Sequence, residues 1–139
     1  MTASHPPIAT PVANVIKSYP KDAENYALAL RTLIFETAHA DSRIGPLTET
    51  LKWQEPSYLT DKTKSGTTLR FDWKEKHPDK LGVFVNCRTS LIRSFQDLFS
   101  DELIFEGTRA IWLDTNQPLP KDILAICIGK ILTNHLDKG

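Results

Sequence analysis

At 139 residues the chain is long enough to close one hydrophobic core and too short for two. Its 40% hydrophobic and 24% charged residues exclude a disordered or fibrous composition. Seventeen basic residues balance seventeen acidic ones, so no net field draws the protein toward nucleic acid or an anionic membrane.

Residues 1–11 read as a flexible arm of Thr, Ser, Ala, Pro and His, without the basic and apolar regions of a secretory signal, and residues 12–139 as a single domain. Thr10 is expected to cap a short helix with Pro11 at its first position, followed by Val12, Val15, Ile16 and Tyr19 at helical spacing. Pro20 ends that helix. A longer one opens with Asp22 and Glu24 in its first turn and carries Tyr26, Leu30, Leu33, Ile34 and Thr37 beside Ala23, Ala27 and Ala38, an amphipathic stripe.

Alternation then predicts a short strand over 48–53, with Thr48, Thr50 and Lys52 on one side and Glu49, Leu51 and Trp53 on the other. Pro56 is expected to break the segment, and Tyr58 and Leu59 to begin a second strand before a polar loop over 61–66. The clearest strand is 67–73, where Leu69, Phe71 and Trp73 alternate with Thr68, Arg70 and Asp72. Residues 81–86 repeat the signal, pairing antiparallel with 67–73 through a loop of about seven residues. A helix over 89–99 follows, then strands over 102–105 and 109–113 joined by a turn containing Gly107. Pro118 and Pro120 lead into a last helix whose apolar face runs from Ile123 to His135. The fold class is α+β: an antiparallel sheet of about five to six strands packed against N- and C-terminal helices.

Nothing matches a catalytic motif of known mechanics: there is no phosphate-binding glycine loop, nucleophile elbow, zinc helix pair or calcium loop. Cys87 and Cys127 form no CxxC and are expected to be reduced, packed thiols of a cytoplasmic protein. His5, His39, His77 and His135 fall in unrelated segments, and the longest apolar run, 123–128, is far short of the roughly 20 residues that span a bilayer. The acidic groups at Asp22 and Glu24, and at Asp97, Asp101 and Glu102, are explained by helix ends and solubility, so no metal site is expected.

The unusual feature is three strand-borne arginines, Arg70 in TLRFDW, Arg88 in FVNCRTS and Arg109 in EGTRAIW. Arg70 is out of phase with Leu69 and Phe71, hence on the polar face. If the strands pair in chain order, the three can converge on an anion, because a guanidinium fork matches carboxylate and phosphate. Asn86 and Thr89 would add uncharged donors, and Trp53, Tyr58 and Trp73 are candidates to wall the site. The alternatives are that the arginines form cross-strand pairs with Asp72, Glu75 or Glu106, and that the aromatics are core.

At LKWQEPSYL (residues 51–59) the sequence resembles the domain-of-unknown-function family 1801 (DUF1801), also called YdhG-like. SGTTLRFDW, VNCRTSL, LIFEGTRAIWL and the closing helix from Leu119 and Pro120 resemble later landmarks of that family, so the likeness covers residues 12–136. It implies a frataxin-like α/β sandwich and supplies no catalytic residues. One branch is described as intracellular iron chaperones, which implies an iron-binding alternative resting on Asp22 and Glu24. This chain departs from an acidic ridge, since its long helix carries only Asp22, Glu24 and Glu36 with Lys21 and Arg31 interspersed. The leading expectation is therefore a non-enzymatic binding domain holding a small anionic molecule, or a partner's acidic segment, on Arg70, Asn86, Arg88 and Arg109 with Trp53 and Tyr58. A third reading is a homodimeric scaffold joined at a strand edge. The expected state is monomer or homodimer, without cofactor, nucleic acid or membrane.

Overall fold

A computed structural model describes residues 6–86 and 90–136, and within them the chain forms four helices and one six-stranded antiparallel sheet, the α+β class expected. In chain order the elements are α1 (Thr10–Lys17), α2 (Lys21–Ala40), β1 (Thr48–Lys52), β2 (Glu55–Leu59), β3 (Leu69–Asp72), β4 (Lys80–Phe84), α3 (Leu91–Phe99), β5 (Ile104–Glu106), β6 (Ala110–Asp114) and α4 (Lys121–Leu132). The strand order is β1-β2-β3-β4-β6-β5, so the first four strands lie side by side as hairpins and β6 inserts between β4 and the short edge strand β5.

Strict alternation sorts the side chains onto two faces. Facing the helices are Tyr58 opposite Leu69, and Phe71, Val83 and Ile111 in register across β3, β4 and β6. All five are buried. On the outer face one row crosses every strand, Thr50, Ser57, Arg70, Phe84, Ala110 and Glu106. Gly82 belongs to this face because a Cβ there would come within 2.5 Å of the Phe84 ring and 2.9 Å of the Trp112 ring. Those two rings cross edge to face at 5.7 Å, and His77 lies 4.4 Å from Trp112.

α2 covers the inner face, burying Ala23, Ala27, Leu30, Leu33, Ile34 and Ala38 of the stripe read from its periodicity and also Phe35, while Tyr26 and Thr37 are half-buried. Each large apolar side chain so buried contributes ~2 kcal/mol. α4 packs beside it through Leu124, Cys127, Ile128, Ile131 and Leu132 and ends before His135, which falls in the following turn. α1 starts one residue earlier than the Thr10 cap implies: Ala9 is the N-cap and Pro11 still sits in the first turn, where no intrahelical bond needs its N–H. At the C-terminal end of α1 the Tyr19 hydroxyl donates to Asp72 Oδ1 at 2.7 Å, tying that end to β3.

Cys127 is 1% exposed, and burial pushes its thiol up to about 12. It is therefore a protonated, unreactive group. Alkylation of the native protein with iodoacetamide at pH 8 is expected to spare Cys127 and to modify it after denaturation; peptide mapping that finds native modification there would contradict the packing. Cys87 lies outside the described residues.

Candidate functional site

The outer face places Arg70 where its phase requires, opposite Ser57 on β2 and Phe84 on β4. Its Nη1 donates to Glu55 Oε1 at 2.9 Å. The second Glu55 oxygen accepts from Lys74 Nζ at 2.8 Å, and Lys74 also reaches Asp72 at 3.0 Å. Burial alone would lower the Lys74 ammonium, but its bonds to Glu55 and Asp72 outweigh that and hold it above its ordinary value. This four-residue network is charge-balanced. For Arg70 it replaces the alternative pairing with Asp72, Glu75 or Glu106, because β2 lies beside β3 and brings Glu55 within reach.

Beside the network opens a groove of about 350 Å³. Val85, buried, is among its lining, while Arg70 comes from β3, Asn86 from just after β4 and Arg109 from just before β6. Thr67 and Thr68 add hydroxyls, and Lys52 and Trp53 reach in from the β1–β2 hairpin. Among the described residues no carboxylate lines the groove. Among the described residues Lys52 and Arg109 have no ion-pair partner, so only Arg70 of the three cations is neutralised. Lys52 and Arg109, which have no ion-pair partner among the described residues, create a field that attracts anions, and guanidinium groups add directional hydrogen bonds.

The hairpin that supplies Trp53 is an unfavourable one for its sequence. Lys52 pairs with Glu55, leaving Trp53 and Gln54 as a two-residue loop with φ of +56° and +65°. Two positive φ values are what type I′ turns require, and Asn or Gly normally supplies them. A residue with a Cβ pays ~1–2 kcal/mol for the left-handed conformation. Packing does not offset this, since Trp53 is 84% exposed and its ring meets no other aromatic among the described residues.

Of the residues singled out from sequence, Trp53, Arg70, Asn86 and Arg109 line this one groove. Arg88, with Thr89, lies outside the described residues. Tyr58 must be moved: it is fully buried on the inner face, stacked on Phe71 at 5.7 Å, edge-on to Phe35 at 5.7 Å, its hydroxyl donating to Glu49 Oε2 at 2.8 Å. Its partner across the ladder is Leu69, so it shares the core phase and not that of Arg70. Trp73 is half-buried with its indole N–H donating to the Pro78 carbonyl at 3.0 Å. Lys52, Thr67 and Thr68 went unnoticed; Lys52 was legible, being in phase with Thr48 and Thr50 on the outer side of β1.

A larger cleft, about 590 Å³, lies where Pro6 meets the end of α2 and is lined by Phe35, Ala38, Pro46 and Leu47, with His39 and Ser42 at its rim. Its one carboxylate, Asp41, is held by Arg43 at 2.7 Å. It offers space without a convergent set of charges, so the smaller groove has the better chemistry. Among the described residues no group of three or more His, Cys, Asp or Glu side chains stands together, and no helix is long and apolar enough to cross a membrane. At the start of α2, Glu24 faces Lys21 at 3.8 Å. No protein-family model, curated protein or solved structure matches this chain.

Proposed function

We propose that the chain is a non-enzymatic, cytoplasmic binding domain that holds a small anionic molecule in the groove beside Arg70. The observation that carries the reading is the set of three cations, Lys52, Arg70 and Arg109, around a groove that no carboxylate among the described residues lines. Two of the three have no counter-ion among the described residues, so an incoming anion meets charge that the fold itself leaves uncompensated. Membership of the 1801 family belongs to the same proposal, supported by the helix-flanked antiparallel sheet. The iron-chaperone alternative gains no supporting observation among the described residues.

A ligand that binds only the folded state stabilises it by about 2.7 kcal/mol at a hundredfold excess over its dissociation constant. Inorganic phosphate and small phosphate monoesters are therefore expected to raise the melting temperature. Arg109→Ala combined with Lys52→Ala removes two exposed side chains that make no ion pair among the described residues, and should abolish the rise without lowering the melting temperature of the free protein. An undiminished rise in the double variant would place the anion elsewhere and end this assignment.

A further inference from the structure

We infer that the ligand carries a flat aromatic ring as well as a phosphate, stacking the ring on Trp53 while the phosphate sits among Lys52, Arg70 and Arg109. This rests on the anion-binding reading above and adds the class of molecule: a phosphate monoester of a ring system, of mononucleotide size. Three independent features meet here. The indole is 84% exposed, so the fold leaves both of its faces unused. It stands on a turn whose two positive φ values glycine or asparagine would adopt more readily, so the position is occupied by tryptophan against local backbone preference. And that exposed ring lines the same groove as the uncompensated cations.

Size and chemistry narrow the occupant. A groove of about 350 Å³ admits one ring system and one anionic group. An indole face stacks on any planar π-system, and the attraction is worth most where charged groups fix the rest of the molecule beside it. An inorganic anion would satisfy the cations and leave the indole idle. A purely apolar aromatic would cover the indole and leave the cations facing water. Only a molecule with both parts uses the whole groove, whose lining also includes Thr67 and Thr68.

The test uses the full chain and three probes: adenosine 5′-monophosphate, ribose 5-phosphate, which lacks the ring, and adenosine, which lacks the phosphate. Titration is followed by calorimetry and by tryptophan emission, where Trp53 is the exposed indole beside the half-buried Trp73 and the buried Trp112. The monophosphate should bind at least tenfold more tightly than ribose 5-phosphate and quench the long-wavelength emission, which the sugar phosphate should not do. Trp53→Gly should bring the monophosphate down to the level of ribose 5-phosphate and, by relieving the turn, raise the melting temperature of the free protein. Equal affinities for the two phosphates, or a ring-dependent gain that survives Trp53→Gly, would overturn the stacking while leaving the anion site standing. Binding of adenosine as tight as that of the monophosphate, or of none of the three probes, would overturn both. A lowered melting temperature in Trp53→Gly would show that the fold does use the ring, and would also defeat the inference.

Discussion

Replacing Glu49 with alanine is expected to remove about 3–5 kcal/mol of stability, the loss typical when one partner of a buried ion pair is deleted. Glu49 and Arg31 have side chains only 6% exposed each, and two bonds join them, from Arg31 Nε at 2.6 Å and from Nη2 at 3.0 Å. The Ala9 N–H donates to the same carboxylate at 3.0 Å and the Tyr58 hydroxyl at 2.8 Å, while Arg31 Nη2 also donates to the Pro6 carbonyl at 2.9 Å. Alanine at 49 would strand a guanidinium against the Phe35 ring, 4.8 Å away, and orphan a hydroxyl in the core. For a domain whose total stability is on the order of 5–15 kcal/mol, that brings the folded state close to its limit. Urea denaturation measures it, and a loss below about 1 kcal/mol would mean that water reaches the pair and screens it.

The same carboxylate sets a pH dependence. Burial pushes Glu49 up, but the Arg31 guanidinium, the Ala9 N–H and the Tyr58 hydroxyl together outweigh burial and hold it below its ordinary 4.5. A carboxyl depressed in the folded state contributes stability that is fully present above its unfolded pKa and is lost as pH falls through the folded one. Stability should therefore decline below about pH 4.5, and Glu49→Gln, less stable at neutral pH, should show a flatter decline on the acid side. Parallel acid limbs in the two proteins would assign the titration to another group.

Gly66→Ala is the second large effect, with an expected loss of about 3 kcal/mol or more. A Cβ at Gly66 would lie 2.2 Å from the carbonyl carbon of Leu132, 2.3 Å from its oxygen and 2.4 Å from its Cα. These are backbone atoms, so no side chain can swing aside. The approach is pinned by bonds between the β2–β3 loop and the end of α4, among them Ser65 Oγ to the Leu132 carbonyl at 2.7 Å, the Thr67 N–H to the Ile131 carbonyl at 3.1 Å, and the His135 N–H to the Ser65 carbonyl at 2.8 Å. Making room for a methyl group means separating the loop from the helix and leaving these groups unpaired in a buried place. Gly107→Ala is the control: its φ is +59° but nothing stands within 4 Å, so it should cost only about 1–2 kcal/mol of backbone strain. Equal losses from the two substitutions would refute the steric argument.

The elements that sequence discloses best are those with a repeated signal and one side in water. Most of the α2 stripe is buried as expected, and the β3 alternation holds over Leu69–Asp72, shorter than the 67–73 expected, and with it the outward direction of Arg70. The β1–β2 hairpin was harder because its turn has none of the usual residues: Trp53 looked like the last residue of a strand and Pro56 like a breaker. In a two-residue hairpin the closing pair, Lys52 and Glu55, exchanges backbone bonds and the next pair, Leu51 and Pro56, does not, so the missing proline N–H faces away from β1. On that other side the β3 ladder covers only Ser57 and Tyr58, and proline forfeits no bond. Two five-residue runs separated by two residues were the signal that would have found the hairpin. Glu49 and Arg31 each carry charge at a position in phase with apolar neighbours. Such a pair is visible in sequence only as two separate anomalies, because nothing local says that they meet.

The insertion of β6 between β4 and β5 also governs when the groove exists. Lys52 and Trp53 belong to a hairpin made of adjacent residues, whereas Arg109 reaches the groove only when β6 has docked against β4, after α3 and β5 have been laid down between them. A chain emerging from the ribosome thus holds Lys52 and Trp53 in their hairpin well before Arg109 joins them. The groove is then a property of the finished sheet, drawing its lining from segments that are far apart in the chain.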